Sequence, residues 1–271
     1  MSETLHPMNG SHPLLSVSLS ANYPNRPGVL DNVCFDVKSG EILALVGQSG
    51  SGKSTVALCI LKLLEVKGGS SSGAIMFQGR DIEKATEREM RGIRGREISL
   101  VPQSPHSALN PALRIGTQLK EAWRAHAEDK WESGKQGILR LLENVDLPAD
   151  EAFLRRYPSQ VSVGQAQRVL IAMAVIHRPR LLIADEPTSA LDLLTQREVL
   201  DLFARLNREL NMAILYISHD LLSVASLCHR AAVLERGRIV ECGAAEQIFE
   251  HPSHPYTKRL IDALPHLQRT P

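Results

Sequence analysis

The octet Gly47-Gln48-Ser49-Gly50-Ser51-Gly52-Lys53-Ser54 fits G-x-x-x-x-G-K-[ST], a pattern suited to holding nucleotide phosphates. Its glycines let backbone N–H groups curl around phosphate oxygens, and a helix opening at its end points its positive pole at them. Lys53 would reach the β- and γ-phosphates and Ser54 would ligate magnesium; Gly47, Ser49, Gly50, Ser51, Gly52 and Thr55 complete the expected cradle. A second stretch, Leu181-Leu182-Ile183-Ala184-Asp185-Glu186-Pro187, reads as a buried strand ending in two carboxylates. Asp185 there can hold magnesium, and Glu186 can orient or deprotonate an attacking water. Alone, this stretch is equally an acidic helix cap; beside a phosphate loop it supplies the second half of a nucleotide site.

Those residues need elements to carry them. Short apolar runs at Leu14 to Leu19, Val33 to Val37, Ile42 to Val46 and Ala74 to Phe77 predict strands, with Gly-rich punctuation at Lys67 to Gly73. The octet therefore follows a strand and precedes a helical run, Val56 to Leu64, the context the pattern requires. From Ile115 to about Leu147 the period turns helical: Ile115, Leu119 and Trp123 share one face, as do Ile138, Leu141, Leu142 and Val145. A helix through Leu170 to Ile176, a strand Leu181 to Ala184, a helix Leu194 to Leu210 and a strand Ala213 to Ile217 then alternate, which predicts a parallel sheet covered on both faces. Two short strands, Ala231 to Leu234 and Arg238 to Val240, meet at Gly237.

Composition narrows the functional classes. With 31 basic and 30 acidic residues the net charge is +1, so no global field draws the chain to nucleic acid or an anionic bilayer. The start, Met1 to Pro7, lacks a secretory pattern, and no run of about 18 apolar residues occurs, so the chain is not expected to cross a membrane by itself. Cys34, Cys59, Cys228 and Cys242 form no C-x-x-C pair and fit reduced thiols.

The stretch Val161-Ser162-Val163-Gly164-Gln165 resembles the L-S-G-G-Q signature of ABC ATPases, and it stands before the second carboxylate strand, where that family places it. Ser162 and Gln165 also form an S-x-x-Q capping box for a helix Ala166 to Ile176, and a capped helix N-terminus is itself an anion site. The resemblance implies that Ser162, Gly164 and Gln165 contact the γ-phosphate held by a second subunit. By the same similarity Gln103 is the Q-loop glutamine that senses magnesium and the lytic water, Ser189-Ala190-Leu191-Asp192 is the D-loop, His219 is the switch histidine, and Tyr23 is the aromatic that stacks on adenine.

The likeness extends to a subfamily. Gln103 to Pro111, with Ile115-Gly116 and Gln118, resembles the Q-loop region of oligopeptide, dipeptide and nickel importer ATPases; Ile248-Phe249, Pro252, His254-Pro255-Tyr256-Thr257 and Leu260 resemble that group's C-terminal sequence. This implies an α/β fold, a P-loop NTPase of ABC ATPase type with an N-terminal antiparallel β-subdomain and an inserted helical subdomain. The nucleotide-binding domain is expected over 10–245, its helical subdomain over about 105–165, and a C-terminal extension over 246–271. The family implies ATP and Mg2+, hydrolysis with Glu186, His219, Gln103 and Lys53 as the catalytic set, and Ser54, Gln103 and Asp185 at the metal. Expected partners are a second ABC ATPase subunit, identical or a paralogue, two transmembrane permease subunits and, indirectly, an external substrate-binding protein; nucleic acid is not among them. The expected location is the cytoplasmic face of the inner membrane.

Two other classes compete. A soluble ABC protein acting on nucleic acid or ribosomes usually carries two cassettes or a long coiled coil, and this sequence has one cassette and no sustained heptads. A non-hydrolysing regulatory module is at odds with Lys53, Asp185, Glu186 and His219. Longer ATPases of the subfamily it resembles often carry a C-terminal cysteine cluster; this sequence has no cysteine beyond Cys242, so no iron–sulfur site is expected. Val161 and Val163 stand where the signature has leucine and glycine; a left-handed backbone at Val163 would strain a β-branched residue by about 1–2 kcal/mol, and otherwise its isopropyl group would crowd the approaching phosphate, which favours pairing with a paralogue whose signature is intact.

Overall fold

The computed structural model describes residues 13–264 except 128 and 130, so the ends of the expected spans, 10–12 and 265–271, lie outside the described residues. Two sheets organise the described residues. The first is antiparallel, in the order β2-β1-β4-β5, from β1 (Leu15–Tyr23), β2 (Arg26–Val37), β4 (Ser70–Phe77) and β5 (Arg80–Asp81). The second has the order β10-β9-β3-β8-β7-β6 and comprises β3 (Ile42–Val46), β6 (Ile98–Val101), β7 (Leu181–Asp185), β8 (Ala213–Ser218), β9 (Arg230–Glu235) and β10 (Arg238–Ala244). It is parallel except for β10, which returns antiparallel beside β9.

The helices are α1 (Lys53–Ile60), α2 (Glu87–Ile93), α3 (Pro105–Ala108), α4 (Ile115–Arg124), α5 (Trp131–Asn144), α6 (Glu151–Leu154), α7 (Val163–Val175), α8 (Leu193–Leu210), α9 (Leu221–Leu227), α10 (Ala245–Glu250) and α11 (Pro255–Asp262). Alternation along the central strands sends side chains to two cores. Ile42, Ala44 and Val46 of β3 join the core beneath α4, α5, α7 and α8, whereas Leu43 and Leu45 join the core shared with α1 and the antiparallel sheet. Both faces are thus covered, as a parallel sheet demands.

Several boundaries differ from the sequence expectation, each for a physical reason. Helix α1 covers Lys53–Ile60 rather than Val56 to Leu64, because its first turn is the polar end of the octet and Lys62 adopts a left-handed backbone, φ 51°, that stops it. Strand β4 begins at Ser70, inside the supposed punctuation. Backbone pairing with Asn22 to Leu19 carries this half of the strand, and Gly73 fits because a Cβ there would lie 2.2 Å from the Ser18 carbonyl oxygen. Strand β1 extends to Tyr23, β2 starts at Arg26 and β10 continues to Ala244, since ladder bonds persist beyond the apolar residues. Helix α7 opens at Val163, directly after its Ser162 cap. Strand β6 and helices α2, α9, α10 and α11 lie outside the elements that the sequence patterns predict.

On the predicted faces of α4 and α5, Ile115, Leu119, Ile138 and Leu142 are buried, as is Val145 just past α5, while Trp123 and Leu141 pack partly buried beside them. The described residues from 105 to 162 contain helices and loops and no strand. Asn207, near the end of α8, is buried and donates from Nδ2 to the carbonyls of Gly40 at 2.9 Å and Met212 at 2.7 Å. It ties the exit of α8 to the turn before β3 and the entry to β8. Asn207→Ala strands both carbonyls and should lower unfolding free energy by about 2–3 kcal/mol, measured by urea denaturation followed by circular dichroism.

Candidate functional site

Parallel pairing brings four strand ends to one edge. Val46 pairs with Ser218, Asp185 with Ile217, and Val101 with Ala184, so the segments leaving β3, β8, β7 and β6 emerge side by side. These carry the octet, His219, Glu186 and Gln103. In open α/β sheets this carboxyl edge is where ligands bind.

The octet runs from β3 into α1. Gly47 lies against β9: a Cβ there would meet the Leu234 carbonyl oxygen at 2.3 Å, so only glycine allows the loop to leave the sheet at this point. Gly52, with φ 111°, is the N-cap of α1, and neither a capping side chain nor an acidic residue sits at the helix start. The first-turn N–H groups of α1 are therefore left for an external acceptor. Lys53 is 5% exposed, and its Nζ donates to the carbonyls of Gly47 at 2.8 Å and Gln48 at 3.1 Å. Burial holds its ammonium below the usual lysine range, against the opposing pull of Glu186 and Asp185. The Ser51 hydroxyl is buried with no partner. A cradle of unpaired donors around a buried cation fits a polyphosphate.

Glu186 gathers the remaining groups. Its Oε1 lies 3.7 Å from Lys53 Nζ and 3.2 Å from His219 Nδ1, and its Oε2 accepts from Gln103 Nε2 at 2.8 Å. The backbone of Glu186 is left-handed, φ 47°, and is fixed by its N–H donating to Ile217 at 2.8 Å. This breaks the alternation of β7 and lets adjacent carboxylates serve one site. Asp185 accepts from the Ser54 hydroxyl at 3.1 Å; burial raises its carboxyl above the usual range, with the Ser54 bond opposing. Tyr23, half-buried, lines a cleft of about 260 Å³ with Ser49, Gly50, Gly52, Lys53, Ser54, Thr55, Gln103 and Glu186.

The other expected residues lie elsewhere. Ser162 caps α7 through a complete capping box: its hydroxyl accepts from Gln165 N–H at 3.1 Å, and Gln165 Oε1 accepts from Ser162 N–H at 3.2 Å. Asp192 caps α8, accepting from the N–H of Thr195 at 3.0 Å, the Thr195 hydroxyl at 2.8 Å and the N–H of Leu194 at 3.1 Å; the two Thr195 bonds foremost hold its carboxyl below the usual range. A Cβ on Gly164 would meet Thr195 Cγ2 at 2.6 Å, so the two helix starts are neighbours. None of Ser162, Gly164, Gln165 and Asp192 lines the phosphate-loop cleft. Val163 is the first residue of α7 and is not among the described residues with positive φ; the strain considered for it does not arise.

No sequence pattern marks Arg26, yet its Nη2 donates to the Gly50 carbonyl at 2.6 Å. In the sequence Tyr256 is only part of the tail pattern, yet its hydroxyl accepts from Gln48 N–H at 3.1 Å. Neither contact leaves a local trace, since the partners lie 24 and 208 residues apart. The cysteines are free, Cys34 and Cys242 exposed, Cys59 and Cys228 buried, and no helix among the described residues is long and apolar enough to cross a membrane.

A family profile described as ABC transporter matches residues 30–189, which include the octet, Gln103, the signature stretch and Glu186. The chain belongs to the ABC transporter family. A second profile, the oligopeptide/dipeptide transporter C-terminal region, matches residues 240–270. The dipeptide transport ATP-binding protein DppD of Escherichia coli is 41% identical over 236 residues, 87% of this chain and 72% of that protein. Among solved structures, cbiO1 from Clostridium perfringens, part of the ABC transporter complex cbiONQ, superimposes with a TM-score of 0.77 at 25% identity, over 89% of this chain and 92% of the other. A dimeric ATP-binding cassette in a post-hydrolysis state, bound to ADP and Pi, matches with a TM-score of 0.74 at 25% identity, over 85% and 98% of the two chains. The fold is that of an ABC ATPase.

The buried Asp185 gives a test with a defined sign. A carboxyl whose pKa folding has raised costs stability when ionised, and the cost vanishes as pH falls through that raised value. Asp185→Asn should therefore raise the melting temperature of the nucleotide-free chain at pH 8 by about 2–4 °C, the shift expected for roughly 1 kcal/mol. The gain should shrink as pH falls, measured by thermal denaturation from pH 8 to 4.

Proposed function

We propose that this chain is the ATP-hydrolysing motor subunit of a peptide importer, with the nucleotide in the cleft between the octet and Glu186. The observation that carries the reading is the convergence of Lys53, Gln103 and His219 on one carboxylate at the carboxyl edge of the parallel sheet. Peptide as cargo is supported by the C-terminal profile match and by the likeness to a dipeptide transporter subunit. The assigned nucleotide-binding domain is 10–245, with its helical subdomain over about 105–165, followed by a C-terminal extension over 246–271.

In this reading the octet N–H groups and Lys53 bind the phosphates, and Tyr23 stacks on the adenine. Ser54, Asp185 and Gln103 would hold Mg2+, which neutralises phosphate charge when bound; the Ser54–Asp185 pair already sets two oxygen donors together. Glu186 takes the proton of the attacking water as its oxygen bonds to the γ-phosphorus and the bond to the β–γ bridging oxygen breaks. His219 and Gln103 fix that carboxylate and the water beside it. Charge on the transferring group is met by Lys53 and the loop dipoles, so catalysis rests on positioning and electrostatics.

Ser162, Gly164, Gln165 and Asp192 act on a second subunit's nucleotide. Their separation from the chain's own cleft supports this, as do Leu193 and Leu194, 86% and 73% exposed at the start of α8 beside them. The partner ATPase is identical or a paralogue, the permease subunits are two, and the external binding protein acts through them. The location is the cytoplasmic face of the inner membrane.

Glu186→Gln keeps the shape of the site but removes the base; in the assembled transporter kcat should fall by about 10²- to 10⁴-fold while ATP is still bound, measured by phosphate release and nucleotide titration. Tyr23→Ala should raise KM for ATP about fivefold with kcat little changed, because stacking contributes to binding throughout the reaction; Tyr23→Phe should match wild type in the same steady-state assay.

A further inference from the structure

The C-terminal segment does more than cover the sheet. Glu241 on β10 accepts from the N–H groups of Ser253 at 2.7 Å and His254 at 3.1 Å, which anchors the chain just before α11. His254 caps that helix, its Nδ1 accepting from Tyr256 N–H at 3.2 Å, and Pro255 fills the first helical position. Tyr256 is 5% exposed and directs its hydroxyl to the Gln48 amide. The Arg259 guanidinium lies 5.8 Å from the Tyr256 ring centre and 3.5 Å from Glu235, so the ring is packed on its outer side as well. Leu260, one turn on, shares a small cleft with Gly47, Gln48, Ser49, His219 and Leu221.

Gln48 is therefore held at both ends: its carbonyl accepts from Lys53 and from the Ser51 N–H, each at 3.1 Å, and its N–H donates to Tyr256. If Lys53 turns to bound phosphates, its hold is released, and Gln48 keeps the Ser51 N–H bond from within the loop and the Tyr256 bond from outside it. A loop of glycines and serines has much conformational freedom to lose on binding, and fixing one of its peptides beforehand lowers that cost. We propose that α11 braces the phosphate loop, with Tyr256 a positioning residue for nucleotide binding that acts through the Gln48 peptide. The inference rests on the octet being the nucleotide site.

The test is Tyr256→Phe in the full chain and in the assembled transporter. Phenylalanine keeps the ring, its burial and the Arg259 contact, and removes only the hydroxyl. Kd for Mg-ATP should rise about three- to tenfold, the effect of losing one hydrogen bond. KM should rise with kcat unchanged, and hydrogen exchange at the Gln48 amide should accelerate. Glu241→Ala, which frees the anchor of α11, should shift Kd in the same direction. The proposal is overturned if Kd of Tyr256→Phe stays within about twofold of wild type, or if Gln48 exchange is unchanged whatever the affinity. Lys53→Ala separates the two readings: if it still binds Mg-ATP with wild-type affinity, the octet is not the nucleotide site and the broader assignment fails, independently of the brace.

Discussion

A buried ammonium must be surrounded by oxygen, and the nucleotide cleft of this chain is organised around that requirement at Lys53. Its partners are two carbonyls of its own loop and, at 3.7 Å, the carboxylate of Glu186. Holding these oxygens in place requires β3 and β7 to end at the same level, which in turn requires β8 between them in parallel register. Gln103 and His219 then converge on the same carboxylate from the ends of β6 and β8. The arrangement is one of stored complementarity: donors without acceptors at the start of α1, and a cation screened by groups that a polyphosphate can replace.

The signature helix shows the same economy on another surface. Ser162 and Gln165 satisfy each other's backbone N–H groups at the start of α7, and a short distance away Asp192 accepts from the N–H groups of Leu194 and Thr195 at the start of α8. These caps stabilise their helices whether or not a nucleotide is near. Their position away from the chain's own phosphate loop, next to exposed leucines, supports a site completed only between two subunits. Because Val163 is an ordinary first-turn helical residue, backbone strain gives no reason to expect the two sites to differ.

Much of this was legible in the residue order because the chemistry is local. The octet, the strand before it and the carboxylate pair at the end of β7 are contiguous patterns, and Ser162 with Gln165 announces its cap by spacing alone. What stayed hidden was non-local or lacked periodicity. Strand β6, only Ile98–Val101, is too short to alternate convincingly and is defined by its pairing with β7. The polar start of β4 is held by backbone ladders rather than by burial, so Ser70 to Gly73 reads as a loop. The contacts of Arg26 with Gly50 and of Tyr256 with Gln48 depend on how the sheets and α11 dock. The left-handed backbone of Glu186 is likewise fixed by its bond to Ile217 on a neighbouring strand.

The account is tested most directly by a crystal structure of the chain with a non-hydrolysable ATP analogue and Mg2+. It predicts the triphosphate over the start of α1, Lys53 Nζ turned from the Gly47 and Gln48 carbonyls to phosphate oxygens, and Tyr256 still bonded to Gln48. An analogue bound elsewhere, or bound here with Lys53 still on its own loop carbonyls, would contradict it.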